Sequence, residues 1–509
     1  MKIPRIMSTQ HPDCANMPSW AKGEMFTNGE EVEEVLNAFK LGCEEQLWDW
    51  EGKDVDSHVI RKLFLLDKNF FEKNILGKDV FITYRIPNPD VEKTERKMIV
   101  EALESIARSA DVAKEFYGKE QTPIFEVALP MTTSHLQLLR VSSFYEKIVV
   151  GKQDIMVHPE IENFSIKNWL GKVMPQEIGI IPLVEDVHSI FKIREILKKF
   201  IHFKKPKYLR PWLARSDTAL NYGLASAVLM IKYALSEIYQ TQQETGVLQY
   251  PIIGVGSLPF RGHLSPDNID NFLEEYSGFQ TFTFQSALKY DFDKKDIKKT
   301  IKKIENRKLK KCSVSKEEMK QVSKIIEIFS KNYRQNVASM HEVINHVSKH
   351  IPNRRMRKLH IGLFGYSREF SKGVHLPRAI NFTGSLYSIG VPPEILGMRS
   401  LVEIEKSGFM ETLSKNYINI KGDLEFALSY FSSESLEKLN RTKLLTNKAI
   451  ALIKKDMEVI KDFYNLTEFN TSKEEKHELL VKSITSNLGK NKPIKEYIVE
   501  AAKIRRSLG

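Results

Sequence analysis

Cysteine is scarce in this chain. Its cysteines, Cys14, Cys43 and Cys312, are odd in number, widely spaced and form no Cys-x-x-Cys pair. That pattern excludes a disulfide framework and a cysteine zinc site, and it fits a reducing compartment. Long apolar runs are missing as well. The stretch 178–184, broken by Gly179 and Pro182, is among the longest, far short of the about 20 residues a spanning helix needs. The opening Met1-Lys2-Ile3-Pro4-Arg5-Ile6-Met7-Ser8 lacks the roughly 7–15-residue apolar core of a secretory leader. No internal repeat and no low-complexity tract occurs. The expectation is a cytoplasmic protein with no membrane partner.

What is present is ordinary globular material with a basic bias. Of 509 residues, 42% are hydrophobic and 28% charged, enough to bury a large core. Lys and Arg number 77 against 65 Asp and Glu, a formal charge of +12, which favours anionic partners. Much of the excess lies in the lysine run 294–311. That run reads as the solvated face of a helix, because it lacks the interleaved aromatics on which bases would stack. No nucleic-acid partner is expected.

Residues 1–290 repeat one rhythm, in which a short apolar, β-branched or aromatic run ends at polar or Gly/Pro punctuation and an amphipathic stretch follows. The candidate strands are 3–9, 46–51, 80–86, 124–129, 178–184, 208–214, 252–255 and 281–284. Helical patterns cover 29–42, 93–117, 188–203, 220–243 and 268–277. Eight strands alternating with helices predict an α/β fold, a (β/α)8 TIM-type barrel. Residues 291–509 are mostly helical, with a segment richer in Gly and Pro at 362–397. They are read as additional C-terminal helices packed on the barrel and completing its site, so that 1–290 and 291–509 make one structural unit.

Chemistry in such a barrel sits at the C-terminal ends of the strands. There the sequence places His11, Glu51, Arg85, Glu185, Arg215, Ser216, Asp217, Arg261 and Gln285. Carboxylates without Cys or His neighbours suit Mg2+ or Mn2+, which bind through one or two carboxylates plus substrate oxygens and water. Arginines fork onto phosphate and carboxylate. Glu185 and Asp217 are the metal-ligand pair; Arg85, Arg261, Arg378 and Arg399 are anion clamps. Each has a structural competitor. Asp217 in Arg215-Ser216-Asp217-Thr218 could cap a helix, His11 could be a hydrogen-bonded framework histidine, and Arg378 could stitch the C-terminal half to the barrel. Trp48 and Trp50 read as core, with Asp49 and Glu51 on the opposite face of the strand.

Several blocks resemble the archaeal-type phosphoenolpyruvate carboxylases. They are Met7-Ser8-Thr9-Gln10-His11-Pro12-Asp13, Trp50-Glu51-Gly52-Lys53, Ile181-Pro182-Leu183-Val184-Glu185-Asp186-Val187 and Ala214-Arg215-Ser216-Asp217-Thr218-Ala219. Further along come Gly256-Ser257-Leu258-Pro259-Phe260-Arg261-Gly262-His263, Thr283-Phe284-Gln285-Ser286-Ala287-Leu288, Pro377-Arg378-Ala379-Ile380, Pro392-Pro393-Glu394 and the ending Arg506-Ser507-Leu508-Gly509. They run in order from residue 7 to 509. Two departures stand out: Cys14 follows Asp13 where the family has asparagine, and the stretch between Leu359 and Pro377, which contains Arg368, aligns poorly.

The resemblance implies a homotetramer that forms oxaloacetate and phosphate from phosphoenolpyruvate and bicarbonate, an anaplerotic carbon dioxide fixation. The route would pass through carboxyphosphate and an enolate held by Mg2+ or Mn2+. It implies Glu185 and Asp217 as metal ligands and His11, Arg261 and Arg378 as catalytic. Arg85, Arg215, Gln285, Arg368 and Arg399 would bind substrate, and the loop 256–262 could close over it to exclude water. The alternative is another metal-dependent barrel enzyme of the phosphoenolpyruvate/pyruvate type, such as a citrate-lyase-like C–C lyase. Such an enzyme would not need His11 or so many arginines.

Overall fold

The computed structural model describes residues 2–51, 55–92, 96–160, 162–310, 314–355, 369–371, 374–466, 472–490 and 492–509. Eight parallel strands close a barrel in sequence order: β1 (Ile6–Ser8), β2 (Glu45–Asp49), β3 (Phe81–Arg85), β4 (Glu126–Leu129), β5 (Gly179–Val184), β6 (Trp212–Ala214), β7 (Ile252–Gly254) and β8 (Thr281–Phe284). The ring shuts where Ile6 pairs with Phe282 and Ser8 with Phe284. Strand alternation sorts the side chains. Outward residues such as Trp48, Tyr84, Val127 and Leu213 join the large core shared with the helices. Inward ones form three layers. The floor is polar and fully buried: Arg210 reaches Glu45 at 2.6 Å and Glu126 at 2.7 Å, and it donates to Thr281. The middle is apolar, with Met7, Leu47, Ala128, Leu183, Trp212 and Ile252. The uppermost layer carries the polar strand ends.

The helices that matter below are α1 (Asn28–Leu41), α2 (Met98–Tyr117), α3 (Ile193–Lys204), α4 (Arg215–Tyr222), α5 (Leu224–Thr245), α6 (Lys294–Asn306), α7 (Lys316–Ser348) and α8 (Ala379–Ser388). The run 220–243 predicted as one helix is broken into α4 and α5. Gly223 sits at φ +87°, and a Cβ there would meet the Tyr333 ring at 2.8 Å. The close approach of α7 therefore makes the break. On α6 the isoleucines Ile297, Ile301 and Ile304 are buried, and Lys303 reaches outward to Asp270, so the lysines occupy a solvated face. After α6 the described residues are almost all helical, and α7 packs along α5, α4 and α8. Among the described residues, no helix is long and apolar enough to cross a membrane. Cys14 and Cys43 are buried and unbridged; Cys312 lies outside the described residues.

Candidate active site

Two adjacent clusters occupy the mouth of the barrel. The first gathers around Glu185, just past the end of β5. Its carboxylate accepts a hydrogen bond from the Met131 backbone N–H at 3.0 Å. Burial, the neighbouring Asp217 and then Glu51 push the Glu185 carboxyl up to about 8, against the pull of Arg85. Asp217 lies in the first turn of α4, and α4 leaves the barrel at the end of β6, so two neighbouring strands aim two carboxylates at one space. Arg85, at the end of β3, forks onto Asp49 at 2.6 and 2.9 Å and approaches Glu51 at 3.2 Å. Asp49 and Glu51 are thus inward residues ion-paired to Arg85, while Trp48 and Trp50 are core.

The second cluster is built on Arg261. Its guanidinium is 2% exposed. It donates to Asp13 at 3.0 Å, to Ser216 at 3.2 Å, to the Gln285 side-chain oxygen and to the Gly509 main-chain oxygen. One residue thereby ties the turn after β1, the start of α4, the end of β8 and the C-terminal tail. Four of its five N–H directions are used, which leaves one for an anion. Burial draws the Arg261 pKa down while Asp13 and then Asp217 pull it back, so the clusters share one electrostatic field.

His11 stands in the turn that joins them. Its Nδ1 lies 2.9 Å from the Thr9 hydroxyl. Its carbonyl accepts from the Ser286 N–H at 3.2 Å, and Asp13 accepts from the Ala287 N–H at 2.7 Å. The turn is therefore bolted to the end of β8. Below it, buried Lys289 donates to Ser8, to the Thr9 carbonyl and to Glu34. Although burial alone would raise it, Arg355 and Lys289 hold the Glu34 carboxyl at about 2. Cys14 packs with Trp20 and Phe26, so its thiol is an apolar filler, and the side chain that closes the turn is Asp13.

The remaining predicted residues divide. Gln285 sits on Arg261. Arg378 is half-buried at the N-terminal end of α8, two residues before Ile380, which packs with Ala15 and Leu508 of the turn and the tail. Arg215 is fully buried, and its donors go to the Tyr276 hydroxyl and the Phe260 and Leu224 carbonyls. Arg399 is bound to Asp456, Asn336, Asn332 and Gln335 in the helical layer. Both guanidiniums are anchored on protein acceptors. Arg368 lies outside the described residues. The loop 256–262 is no lid: it is buried throughout, Gly256 bonds to Arg261 across it, and Glu394 takes the Phe260 N–H at 2.8 Å. Sequence reasoning passed over Asp13, although it lies two residues from His11 in the same block. It also passed over Ser257 and Ser286, buried hydroxyls at the ends of β7 and β8 without a protein partner.

A family model described as phosphoenolpyruvate carboxylase matches residues 3–509. The chain belongs to the phosphoenolpyruvate carboxylase family. A phosphoenolpyruvate carboxylase of Metallosphaera sedula is 42% identical over 511 residues, spanning 100% of this chain and 99% of that one. One of Pyrococcus abyssi is 45% identical over 87% of this chain and 92% of its own. Among solved structures, the HpcH/HpaI aldolase of Desulfitobacterium hafniense DCB-2 is similar at a TM-score of 0.32 and 13% identity, covering 60% of this chain and 94% of that one. The barrel assignment rests on the strand order itself.

Phosphoenolpyruvate carboxylase family membership raises the question of a divalent cation. Among the described residues, no group of three or more His, Cys, Asp or Glu side chains is disposed to hold a metal. Two carboxylates suffice for a hard cation that completes its shell with water and substrate oxygens. The crowding at Glu185 fits that need, because repulsion among Glu185, Asp217 and Glu51 is what a cation between them relieves.

Proposed function

We propose that this chain carboxylates phosphoenolpyruvate with bicarbonate, giving oxaloacetate and phosphate. The observation that carries the reading is the family match over residues 3–509. The meeting of carboxylates, arginines and His11 at one barrel mouth supports it. Glu185 and Asp217 would hold a magnesium or manganese ion, which supplies Lewis acidity toward substrate oxygens. The residues of the chain do the rest. Arg85 holds Asp49 and Glu51 in place and offsets their charge beside Glu185. Arg261 and Arg378 take the phosphate and carboxylate of the substrate and spread the charge that develops as the phosphoryl group passes to bicarbonate.

His11, its ring oriented by Thr9, serves the breakdown of carboxyphosphate to carbon dioxide and phosphate by transferring a proton at the departing phosphate oxygen. Carbon dioxide then adds to the enolate carbon. Water must stay out meanwhile, since a protonated enolate becomes pyruvate. The buried strut 256–262 walls one side of that space.

The test couples the purified protein to malate dehydrogenase with phosphoenolpyruvate and bicarbonate and follows NADH loss. Oxidation that requires bicarbonate and Mg2+ or Mn2+ is expected; silence with both metals overturns the reading. Sedimentation velocity tests the homotetramer that the family resemblance implies.

A further inference from the structure

Outside the barrel, behind the segments that carry Glu185 and Asp217, lies a cavity of about 830 Å3, within the range of small-molecule sites. Its apolar floor comes from Val187, Phe191, Tyr222, Met230 and Ile326. Its rim carries Lys331 and Arg334 of α7, with Glu327 one turn away, so two cations face one acid. Arg334 lies over the Tyr222 ring at 4.9 Å, which roofs the apolar part with a guanidinium.

Two walls of this cavity belong to the proposed metal site. Val187 is two residues past Glu185, and Tyr222 ends α4, which begins with Arg215-Ser216-Asp217. The Tyr222 hydroxyl lies beside the Val187 backbone, and Thr218 of α4 reaches back toward the Glu185 carbonyl at 3.5 Å. Tyr222 is therefore the buttress between the two segments that set the separation of the two carboxylates. No residue placed in the chemistry lines the cavity.

We propose that this cavity is an effector site for a small amphipathic monoanion. Such a ligand has an apolar or aromatic body, which rests on Tyr222 and Met230, and one carboxylate or sulfonate at Lys331 and Arg334. A ligand that displaces Tyr222 moves Val187 and α4 together, and so changes the affinity of the site for its cation. The coupling rests on the metal reading given above; the existence of the ligand site does not.

The test titrates the full-length protein with 8-anilinonaphthalene-1-sulfonate by fluorescence, and with Mn2+ by electron paramagnetic resonance, each with and without the other. Saturable binding of one dye per chain is expected, weakened about tenfold in Lys331→Glu, the loss of one charge-assisted contact. It should be abolished in Ala338→Trp, which blocks the mouth. Saturating dye should change the Mn2+ dissociation constant about fivefold or more in the wild type and leave it unchanged in Ala338→Trp. Equal dye binding by the wild type and both variants overturns the site, as does equal binding of the cationic dye proflavine. Dye binding with an unaltered Mn2+ constant overturns the coupling. Failure of Mn2+ to bind without dye removes the metal reading instead, while the dye titration still reports on the cavity.

Discussion

Glu185 is the residue at which geometry and chemistry are most directly linked. A carboxyl whose native pKa stands above its unfolded value holds its proton more tightly when folded. Stability therefore falls as pH rises from the usual 4.5 to about 8. Asp291 and Glu394, both pushed up to about 7 mainly by burial, contribute slopes of the same sign that end near pH 7. From about 7 to 8 the slope contributed by Glu185 continues. Differential scanning calorimetry of the metal-free protein should show Tm falling by roughly 1 °C across that interval. Glu185→Gln should flatten it, and Mn2+ should reverse it in the wild type only. Glu185→Gln and Asp217→Asn should each abolish carboxylation and weaken Mn2+ binding; retained metal affinity in both would remove them as ligands. For His11→Asn, bicarbonate-dependent phosphate release should partly survive while oxaloacetate formation collapses and pyruvate appears. Wild-type oxaloacetate yield would take His11 out of the chemistry.

At the scale of elements, the strands were legible because each pairs an apolar run with punctuation, and the polar residue at each strand end followed from the barrel. The break between α4 and α5 was not legible, since it depends on Tyr333, more than a hundred residues away. Nor was the character of 256–262. Its glycines suggested mobility, yet its own Arg261 side chain is anchored on Asp13, Gln285 and Gly509 and Glu394 takes the Phe260 N–H, and none of these distant partners is visible locally. Nor does a sequence reveal which protein acceptors hold a guanidinium such as Arg215 or Arg399. Glu394 tests the strut. One carboxylate oxygen takes both the Phe260 N–H and the Tyr387 hydroxyl at 2.8 Å. Glu394→Ala should cost about 1–3 kcal/mol for each buried donor left unpaired, read as a lowered urea midpoint. Glu394→Gln retains the acceptor and should stay close to the wild type.

For the whole molecule, the barrel floor is an ionic plug. Arg210 is 1% exposed and serves both Glu45 and Glu126. Arg210→Met would bury two carboxylates without their counter-ion, an expected loss of about 3–5 kcal/mol seen in thermal or urea unfolding. Adding Glu45→Gln and Glu126→Gln should recover part of it, and full stability in the single variant would show the plug to be dispensable. The barrel also closes late. β1 pairs with β8, the Asp13–Arg261 bond spans 248 residues, and the Leu508 N–H donates to the Asp13 carbonyl at 2.7 Å. On the ribosome, the first strand must wait for the eighth to emerge before it gains its second neighbour. The turn bearing His11 waits longer still, until residues near 508 are made. A nascent chain therefore carries an unpaired edge until the eighth strand emerges and has no assembled site until residues near 508 have followed.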